Sequence, residues 1–307
     1  MISGPGMRLG IDLGGSKIEL IAFDASGRER LRQRIRTPGN DYRATLEAIC
    51  DLIARSENEL GASGSIGIGT PGSLSRVTGR LRNSNSACLN GQALVQDLEA
   101  LLGRPVRIAN DANCFALSEA TDGAAIGAEV VFGVILGTGV GGGIVVRGRA
   151  LEGANGIAGE WGHNPLPWPQ REELPGPPCY CGKTGCIETF VSGPGLANDH
   201  RLSSGVVLDA DVIVARALGG DRDCQSTLVR YEERLARALA HVINVLDPEV
   251  IVLGGGLSNF DGLYELVPRL WSRYVFSDRV DTRLVKNVHG DSSGVRGAAW
   301  LWNAQLA

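Results

Sequence analysis

The stretch Leu9–Phe23, LGIDLGGSKIELIAF, is the part of the sequence that decides the fold. Apolar residues alternate with others from Leu9 to Leu13, and a second apolar run, Ile18–Phe23, follows the short segment Gly14–Ser16. An alternation with a period of two predicts a strand, and glycines between two such runs predict a tight turn. The stretch therefore predicts a strand, a glycine turn and a returning strand.

The same pattern returns at Val130–Val146, VVFGVILGTGVGGGIVV, and a third glycine turn, Gly254–Gly256, follows the apolar run Val250–Leu253. Helical periodicity separates these strands, most clearly at Leu228–Leu246. Strands that alternate with helices indicate an α/β fold, and the repeated pattern indicates a duplication. We predict two related α/β domains that face each other across a cleft.

The predicted domain boundaries follow from the positions of these patterns. Residues 7–120 should form a smaller N-terminal α/β domain that carries the first glycine turn. Residues 121–293 should form a larger α/β domain with the second and third turns. A C-terminal helix at about residues 294–304 is expected to pack back on the first domain.

The composition argues against several classes of function. The chain has 307 residues, 43% of them hydrophobic, and a formal net charge of -4, which supplies no basic field for nucleic acid. Its apolar runs are much shorter than the ~20 residues of a membrane-spanning helix, and no signal-like segment opens the chain. We therefore expect a cytoplasmic protein that binds neither nucleic acid nor membrane.

The glycine turns predict phosphate binding. A turn without β-carbons lets backbone N–H groups approach phosphate oxygens closely, and many such turns need a positive φ. A single glycine turn is more often a plain tight hairpin, but three of them, two accompanied by polar residues, favour a nucleotide site. The predicted ATP-binding residues are Asp12, Gly14, Gly15, Ser16, Lys17, Gly137, Thr138, Gly139, Gly141, Gly142, Gly254, Gly255 and Gly256.

Two aspartates stand at predicted strand ends. Asp12 ends the first strand, where a carboxylate facing a nucleotide would bind Mg²⁺ directly or through water; alternatively, it only caps the turn. Asp111 follows the strand Val106–Ala109 and is the candidate general base, although it also fits a helix cap. Because alignment and charge stabilisation dominate phosphoryl transfer, the weak basicity of an aspartate does not exclude this role.

Three cysteines and a histidine form the most specific local pattern. Cys179, Cys181 and Cys186 crowd into eight positions, a poor spacing for disulfides, and His163 precedes them at the end of the segment Gly159–His163, GEWGH. Three thiolates and an imidazole complete a tetrahedral zinc set and leave no position for a catalytic water. We predict one structural zinc ion per chain; the alternative is a loop with free cysteines.

Taken together, the motifs resemble the ROK family, named for repressors, open reading frames and kinases. The cysteine motif and the Gly-Glu-x-Gly-His element are highly specific, and the resemblance spans nearly the whole chain. The motifs that carry it are DLGGSK (Asp12–Lys17), Asn110-Asp111, GTGVGGG (Gly137–Gly143), GEWGH (Gly159–His163), CYCGKTGCIE (Cys179–Glu188) and LGGG (Leu253–Gly256).

This resemblance implies an actin-like, ribonuclease-H-like ATPase fold and a sugar kinase that uses ATP with magnesium. It implies that Gly254–Gly256 lie near the adenosine and that Asp111 takes the proton of the sugar hydroxyl. His163 would use one nitrogen for zinc and the other for the sugar. Glu160 and Glu188, which alone would fit ordinary surface glutamates, would accept hydrogen bonds from sugar hydroxyls. The residues implied to hold the sugar are Asn85, Asn110, Asp111, Glu160, His163 and Glu188.

The expected identity of the sugar rests on finer similarities. The stretches Asn83–Gly91, Gly159–Trp168 and His289–Trp302 resemble bacterial fructokinases of this family that also accept mannose. Related N-acetylglucosamine kinases usually carry phenylalanine where this chain has Trp161. We therefore expect conversion of D-fructose to fructose 6-phosphate, with an N-acetylglucosamine kinase or a glucokinase as the alternative.

Two other classes compete with a kinase. A ROK repressor senses sugar without phosphorylating it and would need a helix-turn-helix module before the ATPase-like fold, whereas the first motif here begins at Gly10. A catalytically silent sugar-binding protein would be expected to have lost one of Asp12, Lys17, Asp111 and Thr138, all of which are present. A sugar kinase, expected as a homodimer, is the favoured interpretation.

Overall fold

The computed structural model of the protein describes residues 6–84 and 86–302. The predicted sugar-binding residue Asn85 lies outside these ranges, as do residues 303 and 304 of the predicted C-terminal helix. The strands are β1 (Met7–Leu13), β2 (Lys17–Phe23), β3 (Glu29–Arg36), β4 (Gly64–Thr70), β5 (Ser73–Leu74), β6 (Leu81–Arg82), β7 (Val106–Asn110), β8 (Val130–Leu136), β9 (Val140–Val146), β10 (Arg149–Ala150), β11 (Val250–Gly254) and β12 (Arg283–Lys286). The α-helices are α1 (Tyr42–Leu60), α2 (Leu94–Leu102), α3 (Asp111–Asp122), α4 (Glu188–Val191), α5 (Gly193–Ser204), α6 (Ala210–Leu218), α7 (Arg222–Leu246), α8 (Gly262–Trp271) and α9 (Ser293–Trp300).

The chain forms two compact units. The first comprises residues 1–122, 148–158 and 292–307, and the second comprises residues 123–147 and 159–291. The segment 148–158, which the sequence analysis placed in the second domain, thus belongs to the first unit. Side chains hold it there, because Arg76 pairs with Glu152 and Arg82 donates to the carbonyl oxygen of Asn155.

The sheet of the first unit has the strand order β3-β2-β1-β4-β7. β1 is antiparallel to β2 and parallel to β4, which is in turn parallel to β7. Alternation along β1 buries Leu9, Ile11 and Leu13, which pack with Ile49 and Leu52 of α1. The predicted strand, glycine turn and returning strand are therefore present.

Helix α9 packs against β1 and β4 at glycines. Gly10 and Gly67 are paired across these two strands, so the missing side chains open one continuous strip of backbone. A Cβ atom at Gly67 would overlap the carbonyl oxygen of Ala298, and one at Gly10 would overlap that of Val295. Close approach of α9 therefore requires glycine at both positions.

Replacing Gly67 by alanine should destabilise the first unit. The added methyl group has to push α9 away from the sheet, and overpacking of this kind costs about 1–3 kcal/mol in free energy of unfolding. Gly39→Ala is the matched control, because a Cβ atom there meets nothing within 4 Å. Thermal and urea unfolding should show a loss of stability for Gly67→Ala alone, and equal stability of the two variants would refute this packing argument.

The sheet of the second unit repeats the topology of the first. Its strands β9, β8, β11 and β12 lie in that order, with an antiparallel first pair and parallel pairs after it, as in β2, β1, β4 and β7. Its core joins Phe132 and Ile251 of the sheet to Leu235 and Leu239 of α7. The predicted α/β duplication is confirmed in the order and direction of the strands. No helix in the described part of the chain is long and apolar enough to cross a membrane.

Candidate active site

In the first unit, predicted site residues gather where neighbouring parallel strands end. Asp12 lies at the end of β1, Thr70 ends β4, and Asn110 ends β7 directly before Asp111 opens α3. Parallel neighbours place their carboxyl ends at one edge of the sheet, which is where α/β proteins commonly bind ligands. The topology thus brings Asp12, Asn110 and Asp111 to one edge.

The first glycine turn is held from outside by Thr37, which the sequence analysis did not identify. The Gly14 N–H donates to the carbonyl of Lys17 at 3.0 Å. The Thr37 hydroxyl donates to the carbonyl of Gly14 at 2.7 Å, and its N–H donates to the carbonyl of Ser16 at 3.1 Å. Gly15 and Ser16 remain exposed at the tip, as a phosphate-binding turn requires.

A buried carboxylate places cations next to this turn. Glu19 is 1% exposed, and its oxygens lie 3.7 Å from Lys17 Nζ, 3.2 Å from Arg32 Nη1 and 2.7 Å from Arg34 Nη2. Arg36 is the cross-strand neighbour of Lys17. Glu19 thus holds Lys17 and Arg34 beside the turn, where cationic side chains would favour a phosphate.

Asp12 and Asp111 influence each other electrostatically. Burial, and after it the negative charge of Asp111, raises the pKa of Asp12 to about 6, against a smaller opposing effect of Lys17. A divalent cation at this position would favour the ionised carboxylate. Asp111 Oδ1 accepts the N–H of Ala112 at 2.8 Å, a donor at the start of α3 that has no carbonyl partner within the helix.

Asn110 joins the base of α3 to the turn after β4. Its Nδ2 donates to the carbonyl of Gly72 at 3.0 Å, while its Oδ1 accepts the N–H of Ala112 at 2.8 Å. A pocket of ≈ 280 Å³ opens beside it, with Leu74 and Asn113 in its lining. Asn113 is 9% exposed, and its Oδ1 has no hydrogen-bond partner within the described residues. This pocket was not predicted from the sequence.

In the second unit, the second and third glycine turns lie at one edge of the sheet. β8 and β11 are parallel neighbours, with Gly254 paired to Ile135. Gly255 has a φ of 82°, and a Cβ atom there would overlap the backbone of Leu136. The N–H of Gly193, at the start of α5, donates to the carbonyl of Gly137 at 2.8 Å. The contribution of α5 is another feature that the sequence analysis missed.

Trp161 supports the second turn from inside the core. It is 5% exposed, packs edge-on against Phe132 and donates its Nε1–H to the carbonyl of Gly141 at 3.1 Å. A Cβ atom at Gly142 would overlap the Trp161 ring and the carbonyl of Gly159. Gly141 and Gly142, predicted in the phosphate turn, lie inside β9, where Gly142 is a packing residue.

The four predicted metal ligands converge. One ligand atom from each of His163, Cys179, Cys181 and Cys186 lies within 4.8 Å of all the others. Cys179 Sγ is 3.6 Å from His163 Nδ1, and Cys181 Sγ is 3.6 Å from Cys186 Sγ. Zinc–sulfur bonds of about 2.3 Å at tetrahedral angles place two sulfurs slightly less than 4 Å apart. The donor set and its spacing thus fit a tetrahedral zinc ion.

Backbone hydrogen bonds and buried ion pairs hold the loops that carry these ligands. Leu166 and Ile187 donate their N–H groups to the carbonyls of Gly185 and Asn164, at 2.9 and 2.8 Å. In the segment between His163 and Cys179, the buried Glu173 forms ion pairs with both Arg234 and Arg237 of α7. The ligand loops are thereby fixed to the core of the second unit.

The remaining predicted sugar ligands of this unit lie near the metal group, which consists of His163, Cys179, Cys181 and Cys186. Glu160 is exposed directly before the short helix that carries His163. Glu188 opens α4, and its Oε2 accepts the N–H of Val140 at 2.9 Å. His163 Nε2 lies 3.0 Å from the hydroxyl of Tyr180. Glu188 is therefore bonded to the residue after the second phosphate turn, a link that the sequence analysis did not predict.

Comparisons with known proteins cover nearly the whole chain. A model of the ROK family matches residues 8–305. The chain is 42% identical over 300 residues to an N-acetyl-D-glucosamine kinase of Pectobacterium atrosepticum, covering 96% of this chain and 98% of that protein. A ROK hexokinase of Thermus thermophilus superposes with a TM-score of 0.86 at 33% identity, over 96% of this chain and 97% of that one. A ROK glucokinase of Streptomyces griseus in complex with glucose and AMPPNP superposes with a TM-score of 0.73 at 26% identity, over 96% and 98%.

Proposed function

Because this chain belongs to the ROK family, we propose that it transfers a phosphoryl group from ATP to N-acetyl-D-glucosamine. The fold is that of the actin-like ATPases, and the chain is an ATP-dependent sugar kinase. The choice of sugar is carried by the 42% identity, over 96% of the chain, to a protein named N-acetyl-D-glucosamine kinase. This proposal replaces the expected preference for fructose.

The correction has a structural reason. The expected preference for fructose rested on three stretches that resemble fructokinases and, for the choice against N-acetylglucosamine, on Trp161. The side chain of Trp161 lies in the core of its unit and donates to the carbonyl of Gly141. A tryptophan in that position supports the strand after the second turn. The difference between tryptophan and phenylalanine there is therefore a difference in core packing. Trp161 is therefore not an argument for fructose.

The pocket beside Asn110 supports a substrate with an additional substituent. Its lining combines apolar side chains, including Leu74 and Ile108, with polar ones, including Ser73 and Asn113. An acetamido group has one methyl group, one donor and one acceptor, and this mixture of lining atoms can satisfy all three. We assign the acetamido group to this pocket as part of the proposal.

Proton transfer and phosphate binding in the first unit are assigned to residues at the strand ends. Asp111 would accept the proton of the attacking hydroxyl, and its fixed position at the start of α3 supplies the alignment that a loose transition state needs. Asp12 would hold Mg²⁺ bound to ATP, because magnesium prefers oxygen ligands. Lys17 and the exposed turn at Gly15 and Ser16 would bind phosphate oxygens.

A zinc ion would be held by His163, Cys179, Cys181 and Cys186, which fill its four positions. Bound there, it supplies structural rather than hydrolytic chemistry. The residues around it do the work on the sugar: His163 would offer its second nitrogen to a hydroxyl, and Glu188 would accept hydrogen bonds from others. A cytoplasmic location and a homodimer stay predictions.

A coupled assay of ADP release across N-acetyl-D-glucosamine, glucose, mannose and fructose tests the proposal. We expect the highest kcat/KM with N-acetyl-D-glucosamine, because only this sugar fills the pocket beside Asn110. A reaction without sugar provides the background rate. A higher kcat/KM for fructose than for N-acetyl-D-glucosamine would support the original expectation. If none of the four sugars raises ADP release above the background rate, the proposed function is wrong.

A further inference from the structure

Tyr180 is hydrogen-bonded to Nε2 of His163, the imidazole nitrogen that does not face the cysteines. Its hydroxyl oxygen lies 3.0 Å from His163 Nε2, and its ring stands edge-on to the imidazole, with 5.1 Å between ring centroids. The side chain is nonetheless 85% exposed. Tyr180 is thus in contact with a predicted sugar ligand without being fixed by surrounding packing.

The direction of this hydrogen bond follows from the metal group. His163 Nδ1 is the nitrogen that faces Cys179 Sγ, at 3.6 Å, so it would offer its lone pair to a bound zinc ion, and Nε2 would then carry the hydrogen. In the zinc-bound form the Nε2–H would donate, and the Tyr180 oxygen would accept. A sugar hydroxyl that binds His163 would accept a hydrogen bond from this same N–H.

Tyr180 also belongs to the lining of a second pocket. This pocket of ≈ 240 Å³ includes Thr138, predicted to bind phosphate, and Glu188, predicted to bind sugar. The tyrosine therefore stands among the proposed substrate ligands of the second unit. Because its ring is exposed, it can leave the imidazole without breaking core contacts.

We propose that Tyr180 sets the affinity for sugar by occupying the Nε2–H of His163 until a sugar hydroxyl displaces it. This inference rests on the proposed function, since it needs His163 to be a sugar ligand. The tyrosine keeps the imidazole oriented in the absence of substrate, and the sugar has to replace one hydrogen bond as it makes its own. Tyr180 is thus a positioning residue whose hydroxyl weakens sugar binding.

Tyr180→Phe tests this competition, because it removes the hydroxyl and keeps the ring. Titration calorimetry with N-acetyl-D-glucosamine and no ATP should give a Kd about two- to tenfold lower than that of the unchanged protein, the range that corresponds to the net free energy of one hydrogen bond. Tyr42→Phe is the matched control. It also removes a hydroxyl that makes one hydrogen bond, to Asp97, but in the first unit, and its Kd should not change.

The other outcomes overturn the inference in distinguishable ways. An unchanged Kd would mean that the hydroxyl does not compete, and a higher Kd would mean that it binds the sugar directly. Zinc content is measured in parallel, since loss of zinc from Tyr180→Phe would give the tyrosine a role in holding the metal loop instead. If the unchanged protein does not bind N-acetyl-D-glucosamine, the proposed function fails; if it binds this sugar and Tyr180→Phe does not bind it more tightly, only this inference fails.

Discussion

Replacing Asp111 by asparagine should lower kcat by about 10²–10⁴-fold while sugar affinity stays nearly the same. Asparagine has the shape of aspartate but cannot take the proton of the attacking hydroxyl. Its Oδ1 can still accept the N–H of Ala112, so the start of α3 should keep its structure. Initial rates of ADP release and calorimetric titration with sugar measure the two quantities separately.

Asp51→Asn is the control for this experiment. It makes the same chemical change on an exposed face of α1, and kcat should match that of the unchanged protein. If kcat of Asp111→Asn lies within a factor of about three of the control, Asp111 is not the general base, since loss of general-base catalysis should lower kcat by about 10²–10⁴-fold. A higher Kd for sugar with an unchanged kcat would instead assign it to binding.

Replacing Cys181 by serine should remove the metal and weaken sugar binding together. A serine hydroxyl is a poor zinc ligand at neutral pH, so the predicted stoichiometry of one zinc per chain should fall towards zero, with a lower Tm. His163 and the loop before Glu188 would lose their common support. Loss of one charge-assisted hydrogen bond, at about 1.5–3 kcal/mol, corresponds to a sugar Kd about 10–100-fold higher.

Elemental analysis, thermal unfolding and calorimetry follow these three effects in one preparation. Cys50→Ser on α1 is the matched control, because Cys50 lies in the first unit and outside the metal group. A protein purified without chelator that contains no zinc would contradict the metal assignment. Zinc loss with unchanged sugar affinity would leave the metal as a purely local support.

Sequence patterns predicted those features that depend on residue type and spacing alone. Glycines after apolar alternation located the first two hairpins, because a turn at the end of a buried strand needs residues without side chains. The group of His163, Cys179, Cys181 and Cys186 was predicted because thiolates at this spacing have few uses other than zinc.

Features that depend on packing could not be predicted in the same way. Whether Trp161 packs in the core or contacts the sugar depends on the direction of its side chain, which no pattern in the sequence specifies. The bonds from Thr37 to the first turn and from Val140 to Glu188 join residues far apart in the chain. The position of Tyr180 depends on a side-chain torsion, which a cysteine motif leaves open.

Glu188 connects sugar binding with the position of the second phosphate turn, which were predicted from separate motifs. Its carboxylate accepts the N–H of Val140, the first residue of β9, directly after the second phosphate turn. Because a hydrogen bond to an ionised acceptor is stronger than a neutral one, the start of α4 and the turn are held in a fixed relation. In the proposed reaction, the residue that accepts bonds from the sugar also positions the backbone that faces phosphate.

The central claim, phosphoryl transfer from ATP to N-acetyl-D-glucosamine, is tested most directly by competition. The protein is incubated with ATP, magnesium and equal concentrations of N-acetyl-D-glucosamine and fructose, and the phosphorylated products are separated by mass. The ratio of the two products equals the ratio of the two kcat/KM values, free of differences between preparations. We predict that N-acetylhexosamine phosphate predominates from the first turnovers, whereas an excess of hexose phosphate would contradict the proposed substrate.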